Sequence, residues 1–125
     1  MNKKYILVCD DDPEILDMIT QALQLNTQYK IISLGTGMEV LNYLEKKKSL
    51  PDLMVLDLWL PDIDSDELIP IIRSDEDTAH IPIILISAIV NVEILARGLG
   101  TEGHISKPFL IEELEYKVAT LLPKT

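Results

Sequence analysis

Five short apolar segments alternate along the chain with longer segments of helical spacing. The apolar segments are rich in Ile, Val and Leu and cover residues 5–9, 30–34, 53–56, 83–86 and, more weakly, 104–106. The clearest three lack the period-two alternation of a half-exposed strand, as expected for strands that are covered on both faces. We therefore predict five strands that form a buried sheet.

The segments between these strands carry apolar residues three or four positions apart, which is typical of amphipathic helices. In chain order these positions are Ile15, Ile19, Ala22 and Leu23, then Val40, Leu41 and Leu44, then Leu68, Ile69 and Ile72, then Ile94, Leu95 and Leu99, and finally Leu110, Leu114, Val118 and Leu121. Asp12 followed by proline predicts the start of the first helix, and Asp64 with Glu67 has the spacing of a capping box at the third. Gly98 or Gly100 is expected to end the fourth helix.

Strict alternation of strands and helices predicts parallel strands joined by right-handed crossovers. Five such units give an open, doubly wound α/β sheet, because a closed barrel of this kind needs eight. In open sheets of this type, ligands bind outside the carboxyl ends of the strands, where the strand order reverses. The polar residues that follow each strand are therefore the candidates for function.

The length and charge of the chain exclude several classes of protein. A chain of 125 residues forms about one domain, which we expect to span residues 1–125, and its formal charge of −10 argues against nucleic-acid binding. The basic run at residues 46–48 is expected to be solvated at a helix end. The apolar stretch after Lys4 stops at three aspartates after five residues, so we expect no secretory signal, and no segment approaches the ~18 apolar residues of a membrane span. Cys9 is the single cysteine, which suits an inert buried thiol in a cytoplasmic protein.

Chemically useful side chains follow four of the predicted strands. Asp10 and Asp11 follow the first, Asp57 the third, Ser87 the fourth and Lys107 the fifth. Three converging carboxylates repel one another and attract a hard divalent cation, and Mg²⁺ prefers oxygen ligands and often shares its shell with a phosphate. A carboxylate at such a site can be the nucleophile that forms an aspartyl phosphate, with the ammonium and the hydroxyl stabilising the phosphoryl oxygens.

Each of these residues also has a simpler interpretation when it is taken alone. An isolated aspartate after a strand is usually a turn former or a helix cap, and Ser87 alone is most often a helix N-cap. Asp12, which precedes Pro13, is assigned to that capping role. The joint pattern, with one candidate at the end of each of several strands, is much harder to produce by chance.

Residues 6–13, residues 51–62, Ser87-Ala88 and residues 107–109 together resemble the receiver domains of bacterial response regulators, and the resemblance spans nearly the whole chain. It implies a flavodoxin-like sheet of order 2-1-3-4-5 with five helices. Asp57 then matches the phosphoacceptor.

The resemblance also implies roles for the residues around the acceptor. Asp11 matches the direct Mg²⁺ ligand, Asp10 matches the one that acts through water, and the backbone carbonyl of Trp59 matches the third protein ligand. Ser87 matches the switch hydroxyl. Lys107 matches the lysine that pairs with phosphate, and its bond to the following proline would be cis, as in the family.

The chain departs from the family pattern at several positions. His104 stands where the family usually has Tyr or Phe, so it is either a titratable switch residue or a partly exposed histidine without that role. Ser65 replaces a glycine that usually serves a turn, which predicts mild strain or a rearranged loop. Pro70 is tolerated in the first turn of the third helix but would kink the helix one turn later. The 20 positions between Ser87 and Lys107 are about two fewer than usual, so the fourth helix or its leading loop should be short.

Two apolar side chains are expected to control the lifetime of the phosphorylated state. Trp59 and Ile89 lie two positions after Asp57 and Ser87, where family members flank the acyl phosphate, and neither can orient an attacking water. A long-lived aspartyl phosphate follows. The alternative for Trp59 is an outward-facing anchor for a partner protein.

The leading interpretation is a signalling switch, phosphorylated by a histidine kinase or a phosphotransfer protein and read by an output partner that the sequence does not name. It is not an enzyme beyond its own phosphoryl transfer and slow autodephosphorylation, and a homodimer is compatible with it. The alternative is a phosphatase with an aspartyl-phosphate intermediate, but Trp59 stands where such enzymes commonly carry a second acid. An interaction module that has lost phosphorylation is disfavoured because every element of the constellation is present. The chain ends at Thr125, either as a complete regulator or as a piece of a longer protein.

Overall fold

Five parallel strands form one sheet in the computed structural model, which describes residues 3–122. The strands are β1 (Lys4–Cys9), β2 (Tyr29–Leu34), β3 (Leu53–Asp57), β4 (Ile83–Ser87) and β5 (Gly103–Ser106). The helices are α1 (Pro13–Gln24), α2 (Gly37–Glu45), α3 (Ser65–Ser74), α4 (Val92–Leu99) and α5 (Ile111–Leu121). The strand order is β2-β1-β3-β4-β5, which confirms the predicted doubly wound sheet.

Successive residues of the central strands point to opposite faces, and each face packs against its own set of helices. On one face, Ile6 and Val8 lie in a buried cluster with residues of α1 and α5. On the other, Leu7 and Cys9 lie in a cluster with residues of α2, α3 and α4. This two-sided burial explains why the central strands read as continuous apolar runs. It also raises the pKa of the buried Cys9 thiol to about 12, which agrees with an inert thiol.

The first two helices begin with the side-chain caps that polar residues provide. The Asp12 carboxylate accepts hydrogen bonds from the backbone N–H groups of Glu14 (2.9 Å) and Ile15 (3.5 Å), which confirms its capping role. At α2, the hydroxyl of Thr36 accepts from the N–H of Glu39 at 3.1 Å.

The capping box predicted for α3 is wrong. Asp64 is the N-cap residue, but its carboxylate makes no bond to the first turn and instead accepts from the N–H of Leu60 at 3.2 Å. The side chain is engaged by the preceding loop and is therefore not available to the helix.

Two residues of α3 were singled out by the sequence, Ser65 and Pro70. Ser65 does not have a positive φ, so the predicted strain is absent, and its side chain is buried. Pro70 is the sixth residue of α3 and lies inside the helix. Because proline has no N–H, the carbonyl of Asp66 loses its helical donor, and Asp66 lies at the exposed surface.

Helix α4 is the shortest of the five, with eight residues, as the spacing predicted. Gly100 ends it in the left-handed conformation (φ 73°), whereas Gly98 lies within the last turn. The buried residues of α4 are Val92 and Ala96, and Ile94 is 65% exposed, so its assignment to the inner face was wrong. The side chain of Asn91 makes no cap hydrogen bond at the start of α4.

The basic run at residues 46–48 is exposed, as expected, but Lys47 is not merely solvated. It has a positive φ of 55° and forms ion pairs with Asp75 and Asp77 at the end of α3. Among residues 3–122, no helix is both long enough and apolar enough to cross a membrane.

Candidate functional site

The register of β1 against β3 places two carboxylates side by side at the carboxyl edge of the sheet. Cys9, the last residue of β1, pairs with Leu56 of β3. Asp10 and Asp57, which follow these two residues, are therefore neighbours. Both are almost completely buried, with 2% and 4% of their surface exposed, whereas Asp11 is exposed. One carboxylate oxygen from each of the three lies within 4.8 Å of the others. The structure therefore brings together the three acidic residues that the sequence singled out.

Lys107 reaches the same cluster from the end of β5. Its backbone N–H donates to the carbonyl of Ser87 at 2.8 Å, and its peptide bond to Pro108 is cis. Its ammonium nitrogen lies 2.9 Å from Asp57 Oδ1 and 3.2 Å from Asp10 Oδ2. One cation thus contacts both buried carboxylates.

Asp10 is held by a second contact. Its Oδ1 accepts a hydrogen bond from the backbone N–H of Asp12 at 2.9 Å, so its two oxygens face different donors. The turn that begins α1 therefore orients the carboxylate at the end of β1.

The electrostatics of the cluster favour an added cation. Burial raises the pKa of Asp57 to about 6, and the charges of Asp10 and Asp11 add to this effect, while Lys107 opposes it. Burial works against the Lys107 ammonium, yet its hydrogen bond to Asp57 and the two nearby carboxylates raise its pKa above the ordinary value. Three carboxylates against one ammonium leave an excess of negative charge, and oxygen ligands this close suit a hard divalent ion.

Ser87 lies at the end of β4, one residue beyond the position that pairs with Asp57. The side chain is fully buried, and its hydroxyl accepts from the backbone N–H of Ile89 at 3.1 Å. It is not the N-cap of α4, a position that Asn91 occupies. The hydroxyl is therefore part of the turn that leaves β4 beside the acidic cluster.

The three remaining candidates lie around this centre with different exposures. Trp59 is 54% exposed in the loop after β3, whereas Ile89 is half-buried and packs against the core. His104 is half-buried on β5, in register with Leu85 of β4. The roles of Trp59, its backbone carbonyl included, and of Ile89 and His104 stay predictions.

Ser65 supports the acceptor strand in a way that the sequence did not indicate. Its buried hydroxyl donates to the backbone carbonyl of Asp57 at 2.6 Å, and its N–H donates to the carbonyl of Leu58 at 2.9 Å. The only indication of this role in the sequence is that serine stands where family members usually have glycine. The first residue of α3 thus ties that helix to the end of β3.

Asp62 fixes the other side of the β3–α3 loop and was not singled out by its sequence. Its carboxylate accepts from the backbone N–H groups of Gly37 and Met38, each at 2.9 Å, which lowers its pKa. A Cβ atom on Gly37 would lie 2.2 Å from the side chain of Ile63, so the loop packs closely on the start of α2. The partners are more than 20 positions apart, and no local pattern reveals such a contact.

Comparisons with known proteins agree with this geometry. The sequence profile of the response regulator receiver domain matches residues 6–119. Hybrid signal transduction histidine kinase D of Dictyostelium discoideum is 34% identical over 124 residues, which are 97% of this chain and 8% of the kinase. The DNA-binding dual master transcriptional regulator RpaA of Synechocystis sp. is 32% identical over 122 residues, 96% of this chain and 49% of RpaA.

The fold is also similar to that of solved structures. A putative response regulator from Chloroflexus aurantiacus superposes with a TM-score of 0.89 at 27% identity, covering 98% of this chain and all of that one. The curated relatives are longer, and this chain spans about half of RpaA and a small part of the kinase.

Proposed function

Because the chain belongs to the response regulator receiver domain family, whose members are phosphorylation-dependent switches of two-component signalling, we propose that Asp57 is its phosphoacceptor. The observation that carries this proposal is the position of Asp57, buried at the switch point of the sheet and in contact with an ammonium 2.9 Å away. A carboxylate nucleophile can accept a phosphoryl group, and the same lysine can then neutralise the transferred oxygens.

We propose that Mg²⁺ is the cofactor and that Asp10, Asp11 and Asp57 hold it, together with the backbone carbonyl of Trp59. The donor set fits this ion, since the carboxylate oxygens lie within 4.8 Å of one another and carry excess negative charge. When bound, Mg²⁺ would neutralise charge on the acceptor and on the phosphoryl group.

The other side chains have separate tasks. Lys107 already bridges Asp57 and Asp10, so it needs only a small movement to pair with a phosphoryl oxygen. Ser87 would exchange its contact with the N–H of Ile89 for a hydrogen bond to the phosphoryl group. That exchange would loosen the turn before α4, which is how phosphorylation would change the surface that an output partner reads. Inward rotation of His104 would accompany it.

The phosphoryl donor is proposed to be a histidine kinase or a phosphotransfer protein, and the switch is proposed to be a single domain that works in the cytoplasm. The buried, unreactive Cys9 suits that compartment. The phosphatase alternative is not favoured, because the side chain two positions after Asp57 is a tryptophan and cannot activate a water molecule.

The acceptor can be tested with acetyl phosphate and intact-mass measurement. The wild-type protein should gain one phosphoryl group only when Mg²⁺ is present, and Asp57→Asn should gain none. Asp12→Asn is the matched control, since asparagine keeps the helix cap and the residue is outside the cluster of ligands. A mass increase that survives in Asp57→Asn would assign the acceptor elsewhere.

The metal site can be tested separately by Mg²⁺ titration of Trp59 fluorescence. The exposed indole lies two positions after Asp57, so its emission should respond to the ion. Asp11→Asn should weaken that response, because it removes a charged oxygen ligand from the most accessible side of the site. An unchanged titration curve would show that the metal site is assigned wrongly.

A further inference from the structure

Asp64 is the N-cap residue of α3, but its carboxylate serves the loop before the helix. The side chain makes no hydrogen bond to the first turn of α3, and its Oδ1 accepts from the backbone N–H of Leu60 at 3.2 Å. Only the backbone carbonyl of Asp64 begins the helix, where it accepts from the N–H groups of Glu67 and Leu68. The carboxylate is therefore committed to one backbone group of the β3–α3 loop.

The group that Asp64 holds belongs to the same peptide unit as the proposed third metal ligand. The carbonyl of Trp59 and the N–H of Leu60 are the two ends of one peptide bond. Among residues 3–122 the only cis peptide bond lies between Lys107 and Pro108, so this one is trans. In a planar trans peptide the C=O and N–H bonds point in opposite directions. A contact that fixes the Leu60 N–H therefore also fixes the direction of the Trp59 carbonyl.

The carbonyls of the two residues before Trp59 are held by the next residue of α3. The hydroxyl of Ser65 donates to the carbonyl of Asp57 at 2.6 Å, and its N–H donates to the carbonyl of Leu58 at 2.9 Å. The carbonyl of Trp59, by contrast, accepts no hydrogen bond from the described part of the chain. The start of α3 thus fixes successive peptide units of the loop and leaves one carbonyl oxygen free to bind a ligand.

We propose that Asp64 is a positioning residue for Mg²⁺, which it affects by holding the Trp59 carbonyl in the orientation that binds the ion. This inference rests on the proposed function and adds a residue that sets metal affinity from outside the set of ligands. The carboxylate at the N–H end of the peptide also draws electron density toward the carbonyl oxygen, because linked hydrogen bonds polarise one another. Groups that orient a metal ligand in this way commonly control the affinity of the site.

Two substitutions at this position separate orientation from charge. Asp64→Asn removes the charge but keeps an oxygen that can accept from the Leu60 N–H, whereas Asp64→Ala removes both. The Mg²⁺ dissociation constant, measured from the amide NMR signal of Asp12, should rise about 10-fold in Asp64→Ala and less than about threefold in Asp64→Asn. Asp66→Ala is the matched control, since it removes an exposed acid from the first turn of the same helix. At physiological salt it should change the constant by less than about twofold, because exposed charges are screened.

A second measurement observes the peptide unit itself. Trp59 is the only tryptophan in the chain, so protein labelled with carbonyl-¹³C tryptophan and ¹⁵N-leucine gives a single carbonyl-linked NMR signal, that of Leu60. Mg²⁺ should shift the carbonyl carbon of Trp59 in the wild type and in Asp64→Asn. In Asp64→Ala the shift at saturating Mg²⁺ should be much smaller.

Phosphorylation by acetyl phosphate distinguishes weaker metal binding from a general structural defect. In Asp64→Ala the rate should fall about 10-fold at limiting Mg²⁺ and should approach the wild-type rate when Mg²⁺ is saturating. An equal loss of rate at every Mg²⁺ concentration would overturn the inference.

Two other results would also overturn it. Equal losses of Mg²⁺ affinity in Asp64→Asn and Asp64→Ala would assign the effect to charge. A Trp59 carbonyl signal that stays fixed in the wild type, while the amide signals of Asp10 and Asp11 respond to Mg²⁺, would refute the inference even if Asp64→Ala does not fold. If Asp10 and Asp11 do not respond and acetyl phosphate leaves Asp57 unmodified, the proposed function itself fails.

Discussion

Substitution of Ser65 by alanine should destabilise the domain by removing the hydrogen bond that ties α3 to the acceptor strand. The Ser65 hydroxyl is fully buried and donates to the carbonyl of Asp57 at 2.6 Å. Loss of a buried donor leaves its acceptor short of a partner, which costs about 1–3 kcal/mol. With a denaturant slope of roughly 1–3 kcal/mol/M in urea, the midpoint of unfolding should fall by about 1 M.

Ser74→Ala on the same helix is the matched control. Its hydroxyl donates to the carbonyl of Ile71 at 2.7 Å, but at the exposed surface, where water can replace it. The change in unfolding free energy should therefore stay within about 0.5 kcal/mol. Alanine is the better helix former at both positions, so that effect largely cancels in the comparison.

The assay is urea unfolding followed by circular dichroism, without Mg²⁺, so that metal binding does not enter the comparison. Equal midpoints for Ser65→Ala and Ser74→Ala would refute the reasoning, because they would show that the Asp57 carbonyl does not need this donor. If the slope of unfolding free energy against urea concentration differs between the variants, the denatured or the native state has changed. The unfolding free energies of the two variants could not then be compared.

Three further predictions concern the acceptor and its surroundings. Trp59→Asn should speed dephosphorylation about 10-fold, equivalent to ~1.4 kcal/mol of barrier, and Ile89→Lys should also change the rate. The rate is followed by intact-mass measurement of the phosphorylated protein over time. An unchanged rate in both variants would show that the two side chains do not exclude water from the aspartyl phosphate. The pKa of Asp57 is raised to about 6 in the folded protein, so folding favours the protonated carboxyl group. Without Mg²⁺, its contribution to the free energy of unfolding is therefore greatest at a pH below the ordinary pKa of aspartate and is lost as the pH rises through 6. Asp57→Asn should therefore gain in unfolding free energy relative to wild type as the pH rises from about 4 to 6, and a pH-independent difference would contradict this. Gly37→Ala puts a Cβ atom 2.2 Å from a side chain of the β3–α3 loop and should lower the free energy of unfolding by about 1–3 kcal/mol. A Cβ atom at Gly98 meets nothing within 4 Å, so Gly98→Ala should raise the free energy of unfolding by about 0.5–1 kcal/mol. Equal thermal midpoints for the two variants would contradict both expectations.

The strands and the acidic cluster could be predicted from the sequence because both depend on local patterns. A continuous apolar run marks a strand buried on two faces, and the residue after each run must lie at the same edge of the sheet. Asp10, Asp57 and Lys107 were therefore expected together before any contact was known.

The errors arose where a side chain is engaged by a distant or competing partner. Asp64 has a capping sequence, but the N–H of Leu60 takes its carboxylate. The error at Ile94 has another cause. Ile94 lies on the opposite side of α4 from the apolar stripe, whose members follow the spacing i, i+3, i+4 and i+7: Val92, Leu95, Ala96 and Leu99. Ser65 appeared as a strained substitute for glycine because its partner, a backbone carbonyl, leaves no trace in a sequence.

We expect helix α4 to open more easily than the rest of the domain. It has eight residues, no side-chain cap at its start and, at Gly98, a glycine with open space around its Cβ position. Short helices depend on tertiary packing for their stability, and only Val92 and Ala96 are buried here. We expect the amide protons of α4 to exchange with solvent by local unfolding, at a free energy well below that of global unfolding. A rearrangement at Ser87 would then change the fraction of time that α4 is folded. The signal to an output partner would depend on that fraction, and it would not require a rigid displacement of the helix.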